Sequence, residues 1–264
     1  MSNFVFKKSL GQNFIHDDGL INRIVDSAMI DKNTLVIEIG PGAGALSEKI
    51  IPLSKNTILY EIDSRLEDKL RKKLDKYDNY ELIIKDILTS SIQEDISKYE
   101  YDKLFVVANI PYYITSPIIT KLMDEIYPDK IIIMIQEEVA DRLVATPHNR
   151  EYGLMSVLVS SKYNVEKLFK VSKEYFTPMP KVDSAVVRLI KRDNNNILDY
   201  DLFLKLLKDS FRYKRKNIKN NLYDYDLELI NSILNKYKLS INNRSEEVSV
   251  EVFIEIANSL SEHV

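Results

Sequence analysis

Thr34-Leu35-Val36-Ile37-Glu38-Ile39-Gly40-Pro41-Gly42-Ala43-Gly44 starts as a mostly apolar run and ends in three glycines, each two residues from the next. An apolar run without alternation marks a strand buried on both faces, as in a parallel sheet. Glycine allows positive φ and lets a ligand come close to the main chain. The cluster stands out because the 264 residues contain only six glycines. Open α/β sheets bind ligands at the carboxyl ends of their strands. The sequence therefore predicts a ligand-binding loop at residues 40–44.

Outward from this loop, similar runs occupy residues 57–62, 81–85, 104–108 and 131–135. Helical patterns fill the gaps, as at 64–76 and 116–125. Alternating strand and helix implies an α/β fold, a Rossmann-like doubly wound and mostly parallel sheet. Two later runs, 165–171 and 182–190, are joined by a loop too short for a helical crossover, so an antiparallel pair is expected. Residues 192–196 (Arg-Asp-Asn-Asn-Asn) read as a linker. Beyond them the patterns at 200–211, 227–237 and 246–260 are helical. The expected domains are thus 1–194, which binds the ligand, and 195–264, which is all helical.

Composition sets the outer limits. Hydrophobic residues make up 45% and charged residues 29%, a balance that fits a globular domain. No apolar run reaches the roughly 18 residues of a membrane span, and the first residues lack the apolar core of a signal peptide. There is no cysteine, which excludes disulfides and thiolate metal sites. His16, His148 and His263 are too far apart for a short metal motif, so no metal is expected. A cytoplasmic, monomeric protein with no membrane partner is the expectation. The net charge is −3, yet Lys205, Lys208, Arg212, Lys214, Arg215, Lys216 and Lys219 face only Asp209 within 205–220. A local basic stripe outweighs the total charge, because attraction to phosphate fades within a Debye length of about 8–10 Å. The sequence places this stripe on a helix.

The glycine loop alone does not name its ligand. Gly40-x-Gly42-x-x-Ala45 also fits a dinucleotide fingerprint. Glu61, at the end of the second strand, can accept hydrogen bonds from ribose hydroxyls of either NAD or S-adenosylmethionine. Asp86 follows the third strand, where it can accept from an adenine amino group or cap a helix.

The fourth strand ends in Asn109-Ile110-Pro111-Tyr112-Tyr113, and here the chemistry narrows. An adenine amino group is a poor nucleophile because its lone pair is delocalised into the ring. Acceptors on its protons favour a pyramidal nitrogen, and an aromatic face holds the base in line. Asn109 supplies a side-chain carbonyl, Pro111 stiffens the turn that presents the Ile110 carbonyl, and Tyr112 supplies the ring.

With these residues in view, the chain resembles the KsgA/RsmA family of ribosomal RNA adenine dimethyltransferases almost end to end. The resemblance is carried by Gly11-Gln12-Asn13-Phe14, Glu38–Gly42, Asn109–Tyr112, Phe176-Thr177-Pro178-Met179-Pro180-Lys181-Val182-Asp183-Ser184-Ala185, Phe211–Lys216 with Asn220-Asn221-Leu222, and Arg244-Ser245-Glu246-Glu247. Tyr113, Thr115 and Asn217 stand where many relatives carry Asn, Ser and Thr. The resemblance implies S-adenosylmethionine as methyl donor, held by Asn13, Ile15, Gly40, Gly42, Glu61, Asp86 and Asn109. It implies that Asn109, Tyr112 and Phe176 hold the target base. The two prolines after Phe176 suggest that its ring stays in a loop and out of the core. The product would be N6,N6-dimethyladenosine at two adjacent adenosines near the 3′ end of small-subunit rRNA, in an immature 30S particle. Arg212, Lys214, Arg215 and Lys216 would contact phosphates.

Two other functions compete. An Erm-type enzyme methylates large-subunit rRNA with the same catalytic motif, but the 176–185 and 211–222 segments favour the first reading. A non-catalytic ribosome-assembly factor would not need Gly40–Gly44 and Asn109–Tyr112 intact. A dehydrogenase would leave Asn109–Tyr112 and the basic stripe unexplained.

Overall fold

Among the described residues of the computed structural model there are nine strands: β1 Phe14–Ile15, β2 Thr34–Ile39, β3 Asn56–Glu61, β4 Tyr80–Ile84, β5 Lys103–Asn109, β6 Lys130–Gln136, β7 Tyr163–Val171, β8 Phe176–Thr177 and β9 Ser184–Lys191. The structure describes residues 7, 12–193 and 196–262. Gly11 of the first motif, linker residues Asn194 and Asn195, and His263 lie outside them.

Seven strands form one sheet in the order β4-β3-β2-β5-β6-β9-β7. The five from β4 to β6 pair parallel, and β9 runs antiparallel to β6 from Lys130↔Ile190 to Gln136↔Ser184. The apolar runs predicted from the sequence agree with these strands to within two residues at each end. The cause is burial, since every residue of β2 is shielded from solvent. The expected antiparallel partners, 165–171 and 182–190, are the sheet neighbours β7 and β9.

A separate two-stranded ribbon, β1 with β8, pairs Ile15 with Phe176 and Phe14 with Thr177. Phe176 is only 3% exposed and packs in a core cluster with Ile15, Leu20, Ile24, Val171 and Val186. The expected loop position for its ring is therefore wrong. Strand pairing with Ile15 carries it inward despite the following prolines.

The chain divides into two compact units. One comprises the residues up to Ala140 together with Glu166–Lys191, and the other comprises Asp141–Val165 together with the residues from Arg192 onward. The sequence assigns 141–165 to the first domain. In the structure its helix, Leu154–Lys162, packs on the helices Tyr200–Ser210 and Val250–Ser261. Phe211 joins that second core, with its ring 5.7 Å from Phe253 and 6.4 Å from Tyr152. The last expected helix, 246–260, begins later, at Val250, after a short 3-10 turn at Ser245–Glu247.

Candidate active site

The carboxyl ends of β2, β3 and β5 border a cavity of about 770 Å³, counting its open mouth. That is within the range of roughly 300–1,000 Å³ usual for small-molecule sites. Asn13, Ile15, Gly40, Gly42, Glu61, Asn109 and Tyr112 all line it. Asp86 and Phe176 do not.

The glycine loop is tied down from below and covered from above. Gly40 and Gly42 have φ of +70° and +57°, in the region where a side chain is strained. The Gly42 N–H donates to Glu61 Oε2 at 3.0 Å, and the Asp63 N–H donates to Glu61 Oε1 at 2.9 Å. Glu61 is thus a structural tie as well as a cavity wall. Burial pushes its pKa up, while the two backbone donors oppose that shift. Phe14 covers the loop: a Cβ on Gly42 would come within 2.8 Å of Phe14 Cδ1 and closer still to Cε1. At Gly40 the nearest atom to an added Cβ would be the Asn109 carbonyl oxygen, at 3.8 Å.

The segment carrying Phe14 is fixed at two further points. Gln12 Nε2 donates to Asp63 Oδ2 at 2.7 Å, and Asn109 Nδ2 donates to the Asn13 carbonyl at 3.0 Å. Asp63 is itself gripped by Arg65 through Nε (2.8 Å) and Nη2 (2.6 Å). That guanidinium holds the Asp63 carboxyl well below the usual carboxylate range. The Asn109 bond also decides the orientation of its amide. The nitrogen faces a carbonyl, so the oxygen faces away from it. No hydrogen bond among the described residues ends on Asn109 Oδ1. Among the described loops, none ends on the Ile110 carbonyl either.

Tyr112 starts a 3-10 turn, Tyr112–Ile114, and is half-buried; its hydroxyl lies 2.7 Å from Ser184 Oγ. Burial raises its phenol pKa, so it stays protonated at neutral pH. Glu38 also lines the cavity, 1% exposed, with no hydrogen-bond partner on Oε2 among the described residues. Burial pushes its carboxyl up to about 8. No role for Glu38 is expected from the sequence, although a lone charge inside an apolar strand was the available signal. Ile62 and Leu66, which supply apolar lining, carried no such signal.

Asp86 caps the short 3-10 turn Ile87–Thr89, with Oδ1 accepting from the Leu88 N–H at 2.9 Å. The capping role left open by the sequence is therefore present.

The basic residues sit differently from the expectation. The helix Tyr200–Ser210 ends before them, and the next helix, Ile218–Asn221, begins after them. Arg212, Lys214, Arg215 and Lys216 are exposed on the loop between, with no ion pair among the described residues. The end of the helix is capped from elsewhere in the chain. Asn221 Nδ2 and Ser245 Oγ each donate to Ser210 O at 2.6 Å. Tyr213 is 53% exposed among the cations, whereas Phe211 points into the core.

Residues 3–262 match the model of a family described as ribosomal RNA adenine dimethylase. The chain belongs to that family. It is 40% identical to ribosomal RNA small subunit methyltransferase A of Bacillus mycoides, over 98% of this chain and 93% of that one. The same figures hold for the protein of that name in Bacillus anthracis. A crystal structure of a dimethyladenosine transferase from Plasmodium falciparum superposes with a TM-score of 0.81 and 25% identity, covering 94% of this chain and 98% of that one. A 23S rRNA methyltransferase, ErmE, superposes with a TM-score of 0.74 and 26% identity, covering 94% and 100%. The adenine dimethylase fold thus accounts for the seven-stranded mixed sheet and for the helices that follow it. Among the described residues no group of His, Asp and Glu is arranged to hold a metal ion. No helix among them is long and apolar enough to cross a membrane.

Proposed function

We propose that this chain is a cytoplasmic enzyme that dimethylates N6 of two adjacent adenosines near the 3′ end of 16S rRNA, in immature 30S particles, with S-adenosylmethionine as donor. One observation carries the reading. Asn109 is held through its amide nitrogen by the Asn13 carbonyl, its side-chain oxygen has no hydrogen-bond partner among the described residues, and it lines the same cavity as the glycine loop.

The cavity fits the donor. Its floor at Gly42 has room for no side chain, Glu61 offers a carboxylate beside the loop, and Ile62 and Leu66 give apolar wall. When bound, S-adenosylmethionine supplies a methyl group already activated on a sulfonium, so no metal is required. Asn13, Ile15, Gly40, Gly42, Glu61 and Asn109 would hold it, and Asp86 would reach it through the carboxylate oxygen not used by Leu88. Asn109 Oδ1 and the Ile110 carbonyl accept hydrogen bonds from the adenine amino group, which localises its lone pair. Tyr112 stacks on the base. A direct stack by Phe176 requires its ring to turn out of the cluster it shares with Ile15. Otherwise it supports the ribbon from beneath.

The target base must leave its own stack, at a cost of a few kcal/mol. Each aromatic face returns roughly 1–3 kcal/mol. Such a pocket reads adenine but not its surroundings, so the site on the RNA is chosen by shape and backbone contacts. The exposed cations at 212–216 suit phosphate contact. Small-subunit rather than 23S rRNA is favoured because the relatives at 40% identity carry a small-subunit name, whereas ErmE stands at 26%. Mass spectrometry of nucleosides from unmethylated 30S particles and from protein-free 23S rRNA, each incubated with enzyme and donor, tests the proposal. N6,N6-dimethyladenosine only in the 30S RNA is expected. Methylation of 23S rRNA alone overturns it.

A further inference from the structure

We infer that Ser184 is a positioning residue for methyl transfer: through its hydrogen bond to the Tyr112 hydroxyl it sets the angle at which the Tyr112 ring meets the target base. The inference rests on the stacking role proposed for Tyr112. Tyr112 follows Pro111 in a short 3-10 turn that contributes no buried residue, so the turn itself gives the ring little support. What grips the ring is at its far end, where the hydroxyl meets Ser184 Oγ at 2.7 Å.

Ser184 is built to be rigid. It is fully buried, opens β9 and pairs with Gln136 at the end of β6. The Glu137 N–H donates to the Asp183 carbonyl at 3.0 Å, one step further along. Lys170 then clamps the same corner, reaching Glu137 Oε2 and Asp183 Oδ2 at 2.8 Å each. The Lys173 N–H donates to Asp183 Oδ1 at 3.1 Å. A serine anchored this firmly transmits the geometry of β9 to the ring. The carboxylates beside it are already held by Lys170, which leaves the hydroxyl as the contact with Tyr112.

A base stacked on a ring that can rock loses alignment more than affinity, so the effect should fall on kcat and not on the KM for the methyl donor. A lost neutral hydrogen bond is worth about 0.5–1.5 kcal/mol, or roughly 2- to 12-fold. The test compares Ser184→Ala, Ser184→Thr, Tyr112→Phe, the Ser184→Ala/Tyr112→Phe double variant and Tyr112→Ala. The readout is transfer of labelled methyl to unmethylated 30S particles. Ser54→Ala serves as the control. It removes another buried hydroxyl, bonded to Ile51 O and Thr57 at the opposite end of the sheet.

Ser184→Ala and Tyr112→Phe should each lower kcat by the same factor, roughly 2- to 12-fold. The double variant should fall no further, and Ser184→Thr should recover most of the loss. Ser54→Ala should lower the melting temperature without changing kcat. Additive losses in the double variant, or wild-type kcat in Ser184→Ala, overturn the inference. Tyr112→Ala separates the two levels. If it retains full turnover, the stacking role itself is wrong. If it is inactive while Ser184→Ala and Tyr112→Phe match wild type, only the role of Ser184 is wrong.

Discussion

Alanine at Gly42 and alanine at Gly40 should have unequal costs, although the two backbones are strained alike. Both glycines have φ near +60° to +70°, so either substitution incurs the left-handed penalty of about 1–2 kcal/mol. At Gly40 nothing further is added, because the nearest atom to the new Cβ is 3.8 Å away. At Gly42 the Cβ would overlap the Phe14 ring, and forcing a methyl into packed space costs about 1–3 kcal/mol more. For a chain of this size each kcal/mol lowers the melting temperature by roughly 2–4 °C. Gly40→Ala should therefore melt about 2–8 °C below wild type, and Gly42→Ala a further 2–12 °C below that. Thermal unfolding followed by circular dichroism without donor measures this step. A second variant isolates the cause. Phe14→Ala should be less damaging in the Gly42→Ala background than in wild type, with a coupling of about 1–3 kcal/mol. Equal melting temperatures for the two alanines, or no coupling with Phe14, would refute the reasoning that Phe14 presses on the loop.

Other outcomes follow from the same geometry. Asn109→Ala should cut turnover by at least about 100-fold while RNA binding stays near normal, since it removes an acceptor on the reacting nitrogen and no phosphate contact; filter binding beside the methylation assay checks both. Replacing Arg212, Lys214, Arg215 and Lys216 by Glu should weaken particle binding and flatten its salt dependence by roughly one log–log unit per lost phosphate contact. An unchanged slope would mean that the loop faces solvent only. Glu38 ionises near 4.5 in the unfolded chain, as an ordinary glutamate does, and at about 8 when folded. The folded state therefore holds the extra proton between those values, and stability from this group falls as pH rises through that window. Glu38→Gln should lose less melting temperature than wild type between about pH 5 and pH 8, with parallel losses counting against this account.

The sheet was legible because strands buried on both faces leave runs dominated by apolar residues, as β2, β5 and β6 do. Asn109 and Gly42 were legible because their residue types suit few other purposes at a strand end. Phe176 was not. Its neighbours Pro178 and Pro180 signal a loop, and its strand partner Ile15 lies at the other end of the unit's chain, beyond any local pattern. The loop at 211–217 was missed for a similar reason. Asn221 and Ser245 cap the terminal carbonyl of the helix Tyr200–Ser210, a tertiary event with no trace in helical periodicity. The helix Leu154–Lys162 went unread because it is buried on most of its faces and so lacks the alternation that marks an amphipathic helix.

The ribbon of β1 and β8 also orders events in time. Its partners are separated by about 160 residues, so it cannot close until about two thirds of the chain has been made. Until Phe176 and Thr177 have been synthesised, Phe14 and Ile15 have no strand to pair with, and the cover of the glycine loop is tied only through Gln12 and Asn13. A ribosome-bound fragment ending at β6 would hold five parallel strands, the whole loop and every residue that lines the cavity, but not the strand that pairs with Phe14 and Ile15. The cover of the cavity would then be pinned only with the return of the chain to its own beginning.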